Sequence, residues 1–316
     1  MRKRSIGSLE VSAVGLGCNQ FGRKIDAEAT KSVIDAALDA GVNFLDTSDR
    51  YGYGTAPFSA YGRSEEFIGK ALAGRRDKVV LGTKFGNPMG DDPRNRGGGR
   101  RWVRIAVEDS LRRLNVDHID LYQLHRPDPA TPILETLAAL DELVDEGKVR
   151  EIGCSNFTAA QLGEAVAVAA GNGLRGFASV QNEYSLLVRE PEAEVLPLCV
   201  AHGVAFLPYF PLAAGLLTGK YVKGEAPPAD SRLANFKPNR PWLDLSDGNL
   251  DKAGRLGEWA ESRGHTLLEL AFAWLVARPG VASVIAGATR PEQVRMNAGT
   301  VSWELSAADL AEIDTL

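Results

Sequence analysis

Cysteine is scarce in this chain of 316 residues: Cys18, Cys154 and Cys199 are too few and too scattered for a disulfide framework or a cysteine-based metal cluster. That excludes a small stapled scaffold and points to a reducing, cytoplasmic setting. Positive charge is also in short supply. Lysine and arginine number 36 against 41 aspartate and glutamate, a net charge of −5, whereas nucleic-acid and membrane-surface proteins need a positive field. No uncharged apolar stretch approaches the roughly 18 residues of a membrane helix, and the opening MRKRSIGSLEVSAVGLG has no apolar run long enough for a signal peptide. Neither nucleic acid nor membrane is therefore expected as a partner. Linkers, repeats and low-complexity tracts are missing too, so residues 1–316 read as a single domain.

What is present is alternation. After a small hairpin (Arg4 to Ile6, a Gly7-Ser8 turn, Glu10 to Ser12), short apolar runs follow one another with helical patterns between them. The runs are Val14 to Cys18, Val42 to Leu45, Lys78 to Thr83, Ile119 to Leu124, Val149 to Cys154, Ala178 to Gln181, Val204 to Pro208 and Ala282 to Ala286. Asp26 is placed to cap the first helix, and Gly41 to end it. Further helices are expected at Ser64 to Leu72, Arg101 to Leu114, Pro132 to Glu146, Ala159 to Ala170, Glu190 to Ala201, Leu250 to Arg263 and Leu267 to Ala277, with two more starting near Pro291 and Ser306. Strands that are apolar on both faces and separated by helices describe an all-parallel sheet. Eight such units over this length favour a closed (β/α)8 TIM barrel, an α/β fold, with a short N-terminal hairpin and extra C-terminal helices.

In such a barrel the reactive residues sit in the loops that follow the strands. Asp46 and Tyr51 follow the second strand in LDTSDRYG, Lys84 ends the third in LGTKFG, and His125 ends the fourth in LYQLHRP. Each alone has an ordinary structural reading: a cap, a packed ring, a solvated ammonium, a packed imidazole. Together they suit one mechanism. Reducing a carbonyl by hydride transfer creates an alkoxide that needs a nearby proton donor. A free tyrosine, with a pKa near ~10, is a poor one at neutral pH. An adjacent ammonium lowers that pKa, and a carboxylate anchors the ammonium. The expectation is Tyr51 as proton donor, Lys84 as activator, Asp46 as anchor of Lys84 and His125 as orienting donor.

These residues and their contexts resemble the tetrad of the aldo-keto reductases. The resemblance extends over essentially the whole chain, through GCSNF at Gly153 to Phe157, QNEYS at Gln181 to Ser185, PYFPLAAGLLTGKY at Pro208 to Tyr221 and GATRPEQVRMNA at Gly287 to Ala298. It implies reduction of an aldehyde or ketone to an alcohol, or the reverse, on a small carbonyl substrate with NADPH as cofactor. The family needs no GxGxxG fingerprint, and none is present; GLGCNQFG at Gly15 to Gly22 has the wrong spacing.

By the same resemblance, Ser155, Asn156 and Gln181 would hold the nicotinamide carboxamide and Tyr209 would stack on its ring. Gly17, Cys18, Asn19 and Asp46 would also border the cofactor. Phe210, Pro211, Leu212 and Gly215 would run beside the pyrophosphate. Gly287, Thr289, Gln293 and Asn297 would receive the adenosine end, with Lys220 and Arg232 as basic contacts. Gly287 and Gln293 stand where some members carry a lysine and an arginine that grip the 2′-phosphate. Arg290, Lys220 or Arg232 would have to replace them, which leaves NADH admissible beside NADPH. The branch with potassium-channel β subunits supplies a second reading, a cofactor-sensing subunit acting through a partner. A metal-dependent or paired-carboxylate barrel enzyme is a third, for which no residue cluster is found. Phe58, Tyr61, Trp102 and Trp242 are candidate walls of the substrate pocket.

Overall fold

The computed structural model describes residues 1–52, 61–229, 231–235 and 244–316, except for the side chains of Arg232 and Asn235. It opens with an antiparallel hairpin of β1 (Lys3–Ile6) and β2 (Leu9–Ser12). A closed barrel of eight parallel strands follows: β3 (Val14–Gly17), β4 (Phe44–Asp46), β5 (Val80–Phe85), β6 (Ile119–Leu124), β7 (Val149–Ser155), β8 (Ser179–Glu183), β9 (Ala205–Tyr209) and β10 (Val284–Gly287), which returns to pair with β3. Outside lie α1 (Ala27–Asp39), α2 (Arg63–Ala71), α3 (Arg100–Leu114), α4 (Ile133–Asp145), α5 (Ala159–Asn172), α6 (Val195–His202), α7 (Arg232–Asn235), α8 (Asp247–Glu261), α9 (Leu267–Ala277), α10 (Pro291–Gly299) and α11 (Ala307–Ile313). The architecture is the TIM barrel expected from the sequence, hairpin included. Among the described residues no helix is long and apolar enough to cross a membrane.

Local chemistry fixes several boundaries. The Asp26 carboxylate accepts from Ala29 N–H at 2.9 Å and starts α1. Thr266 with Glu269, and Ser306 with Asp309, form capping boxes for α9 and α11. The helix expected from Glu190 starts instead at Val195, after a 3-10 turn over Glu190–Glu192. Pro197 explains the delay: in the middle of a longer helix its ring would break the ladder, whereas in the first turn its missing N–H costs nothing.

The barrel interior sets up the site. Successive strand residues alternate between faces, so one inward file runs Phe44 then Asp46, another Leu121 then Gln123, a third Leu207 then Tyr209. At the lower end these files form an apolar plug: Phe44, Val80, Leu121, Leu207 and Ile285 pack with Ile6, Leu9 and Val11 of the hairpin. Glycines make the space, since a Cβ at Gly15 would meet the Phe44 ring at 2.9 Å and one at Gly153 the Gln123 side chain at 3.1 Å. One layer higher the same files turn polar. The strands are thus apolar on both faces only over their first halves, and the inward file at their carboxyl ends carries the chemistry.

Candidate active site

Lys84 and Asp46 form the centre of that polar layer. Both are buried, and Lys84 Nζ donates to Asp46 Oδ2 at 2.6 Å and to the Thr47 carbonyl at 2.9 Å. The other Asp46 oxygen accepts from the Gln123 amide at 3.1 Å and the Gln181 amide at 2.9 Å. Three hydrogen bonds from three different strands thus hold this carboxylate, and the pair is kept in one geometry. Burial by itself would drive the Lys84 proton off, but Asp46 and the Tyr51 phenol outweigh it and hold the ammonium above its ordinary range.

The loop after β4 extends the ladder to β5, with Thr47 N–H bonded to the Gly82 carbonyl and Asp49 N–H to the Lys84 carbonyl. This carries Tyr51 over Lys84, which hydrogen-bonds its phenol and lies 5.1 Å from its ring centroid. The net shift of Tyr51 is opposite to the expected one. Burial raises its pKa more than the Lys84 charge lowers it, a balance that depends on exposure and not on which residues are neighbours. The resting phenol is therefore a neutral donor, and the ammonium is in place to receive the charge if the proton leaves.

His125 stands edge-on to Tyr51, ring centroids 5.8 Å apart. Burial, followed by the charges of Lys84, Arg126 and Arg50, pushes its pKa well below the ordinary histidine range. The ring is neutral, so only one of its nitrogens carries a proton.

Tyr51, His125 and Asp46 line a cleft of about 350 Å³. The cleft is also lined by Gly17, Cys18, Asn19, Ser155, Asn156, Gln181, Tyr209, Phe210, Pro211, Leu212, Gly215, Lys220, Gly287, Thr289 and Gln293. These residues come from strands far apart in sequence, and the barrel brings them together. One expected member is elsewhere: Asn297 is buried on α10, off the cleft lining; the Arg232 side chain lies outside the described residues. Arg290, at the N-cap of α10, does not line it either. Of the expected pocket walls, Phe58 and Trp242 fall outside the described residues. Tyr61 and the buried Trp102 line a separate cavity beside Asp49. Reading the sequence missed Gln20, Lys24, Arg126 and Thr218 on the lining, and Gln123 behind it. Only Gln123 had a signal: it sits two residues before His125 on one strand face.

The cleft suits a long, flat, phosphorylated ligand on three counts. Gly17 and Gly287 are register partners, and their missing side chains leave bare backbone as the floor. Tyr209 is pinned by its hydroxyl to Asn156 Oδ1 at 2.7 Å, which fixes an aromatic face for a planar ring. After β9 the chain turns through positive φ at Phe210 (55°), Ala213 (44°), Ala214 (58°) and Gly215 (104°), and such turns direct backbone N–H groups toward anions. The polar atoms beside them are already engaged: Ser155 Oγ donates to the Gln181 carbonyl at 2.7 Å, and the Asn156 amide donates to the His125 carbonyl at 3.0 Å. Gln293 Oε1 accepts from Thr289 N–H at 2.8 Å. Of the three residues expected at a carboxamide, Gln181 turns its NH2 inward to Asp46.

Residues 13–316 match the Aldo/keto reductase family, and the chain belongs to it. It is 35% identical over 315 residues to the "Aldo-keto reductase YhdN" of Bacillus subtilis, covering 98% of this chain and 90% of that protein. It is 38% identical over 308 residues to a "Probable voltage-gated potassium channel subunit beta" of Arabidopsis thaliana, covering 94% and 90%. A protein of Oryza sativa with the same name is equally similar.

Proposed function

We propose that the protein reduces an aldehyde or ketone to an alcohol, with Tyr51 giving the proton to the carbonyl oxygen. The observation that carries this reading is Tyr51, on the lining of the cleft, set over the buried Lys84–Asp46 pair. When the phenol gives up its proton, the tyrosinate is stabilised by the Lys84 ammonium in a site that water does not screen. Asp46 keeps that ammonium charged and aimed, and Gln123 and Gln181 keep Asp46 in place. His125, neutral and edge-on to Tyr51, contributes a second hydrogen bond to the same oxygen.

The cofactor we infer is NADPH, which when bound supplies the hydride. Gly17 and Gly287 form its floor, Tyr209 its aromatic face, and the turn from Phe210 to Gly215 its anion-binding backbone. Lys24 and Lys220 favour the phosphorylated dinucleotide over NADH, because both line the cleft and neither pairs with a carboxylate among the described residues.

Tyr51→Phe tests the reading. Oxidation of NADPH at 340 nm with a panel of aldehydes should fall by about 10²–10⁴-fold, while cofactor affinity by fluorescence titration stays the same. A near-normal rate would sink the assignment. Tight NADPH binding by the unaltered protein with no carbonyl reduced would instead support the cofactor-sensing reading that the plant relatives' names suggest.

A further inference from the structure

Behind His125 lies a chain of hydrogen bonds not used so far. Its Nδ1 is 3.0 Å from Ser48 Oγ, and Ser48 Oγ is 3.1 Å from Asp49 Oδ1. Ser48 and Asp49 are 0% and 1% exposed, and Arg50 N–H donates to the same hydroxyl oxygen at 3.2 Å. A hydroxyl has one proton, so Ser48 donates either to His125 or to Asp49 and not to both.

Two arrangements satisfy the chain. With Asp49 protonated, its O–H donates to Ser48, Ser48 donates to Nδ1, and the ring proton sits on Nε2. With Asp49 ionised, Ser48 donates to Oδ1 and accepts from Nδ1–H, and Nε2 is bare. The ring lines the cleft and uses Nδ1 on Ser48, so Nε2 is the nitrogen left for a carbonyl oxygen. Only the first arrangement gives that oxygen a donor; the second meets it with a lone pair.

We propose that Asp49 is a positioning residue which, through Ser48, decides which nitrogen of His125 carries the proton, and thereby whether the site offers the carbonyl oxygen a second hydrogen bond. The use of this bond rests on the reductase reading above; the switch itself does not.

The surroundings decide when each form holds. Asp49 Oδ2 is buried without a hydrogen-bond partner. Around the carboxyl stand Glu65 of α2, Arg113 and Asp109 of α3, Tyr122 of β6, and Arg50 and Tyr61 of its own loop. Arg113 is committed to Glu65 at 2.7 Å. Burial first, then the Glu65 charge, pushes the Asp49 carboxyl up to about 8, with Arg113 opposing. On the other side Lys84, Arg126 and Arg50 join burial in keeping His125 neutral. Across neutral pH the charge of the ring is thus fixed and its tautomer is what changes. The donor form holds below about 8 and is lost above it.

The test is 15N spectroscopy of the four histidines in the full chain from about pH 6 to about pH 10, a window that brackets a carboxyl displaced this far from its ordinary value. The His125 signal is assigned by its loss in His125→Gln. We expect the proton on Nε2 at the acid end and on Nδ1 at the alkaline end. Asp49→Asn, whose amide can donate to Ser48 at every pH, should stay in the Nε2–H form. Ser48→Ala, a second variant that keeps both titrating residues, should uncouple the ring from that transition. In parallel, kcat/KM for an aldehyde should fall by about tenfold across the transition in the unaltered protein and then level off, as for loss of one hydrogen bond to the carbonyl oxygen, and stay flat in Asp49→Asn. One unchanging tautomer in the unaltered protein, or a transition that survives Asp49→Asn, overturns the proposal. A tautomer that switches in a protein reducing no carbonyl would overturn the reductase reading alone.

Discussion

Glu65 is wholly buried, yet both its carboxylate oxygens are bonded, one to the Thr83 hydroxyl at 2.6 Å and the other to Arg113 Nε at 2.7 Å. Removing one member of such a pair costs far more than the pair contributes, because the survivor is a charge without a counterion in a medium that solvates it poorly. Arg113→Met should therefore destabilise the protein by about 3 kcal/mol, read as a lower urea midpoint at pH 7 with the slope unchanged; a midpoint within error of the original would show that the pair contributes nothing that water or a neighbour cannot replace. At this scale the sequence was legible where a residue type followed a strand: Asp46, Tyr51, Lys84 and His125 were singled out by position together with the one mechanism that needs all four types, and the barrel brings them together. What it hid was environment. The upward shift of Tyr51 follows from burial, and nothing local in the sequence shows that Ser48 faces His125 or that Asp49 is buried.

Where α2 meets the end of α3, Gly69 lies so close that a Cβ there would fall 2.4 Å from the Leu114 carbonyl oxygen. That neighbour is backbone and cannot swing away. Gly69→Ala should gain helix propensity worth about 1 kcal/mol and still destabilise by roughly 1–3 kcal/mol from overpacking, so a fall in thermal midpoint is expected. A rise would mean that the two helices can slide apart at little cost. Elements were legible because their signals are local: the Asp26 cap, the run from Ile119 to Leu124 and the helix from Leu267 to Ala277 all fall where periodicity places them. The sequence was less clear where two signals competed, as at Pro197, or where a strand changes character along its length. The inward file Leu121, Gln123, His125 reads as apolar only to its midpoint, and the polar half is where the site begins.

Over the whole molecule, charge is distributed against its own sum. The chain is acidic by five charges, yet among the described residues that line the cleft the only carboxylate is Asp46, already bound to Lys84. Lys24, Arg126 and Lys220 line the same cleft without a carboxylate partner among the described residues. An acidic surface repels polyanions and a cationic cleft attracts them, so the field favours entry of a phosphorylated ligand at this one place. Sequence totals could not show this, because a net charge says nothing of which side chains the barrel gathers at its rim. If the cleft holds NADPH as proposed, its cations are exposed and salt should screen them. The dissociation constant should rise about tenfold between about 20 mM and about 200 mM salt, across which the Debye length shrinks from roughly 20 Å to under 10 Å. The double variant Lys24→Ala, Lys220→Ala should bind more weakly at low salt and lose most of that dependence, because two of the three cations on the lining are gone and only Arg126 remains. Fluorescence titrations at the two ionic strengths make the comparison, and an unaltered salt dependence in the variant would place the phosphate contacts on other side chains.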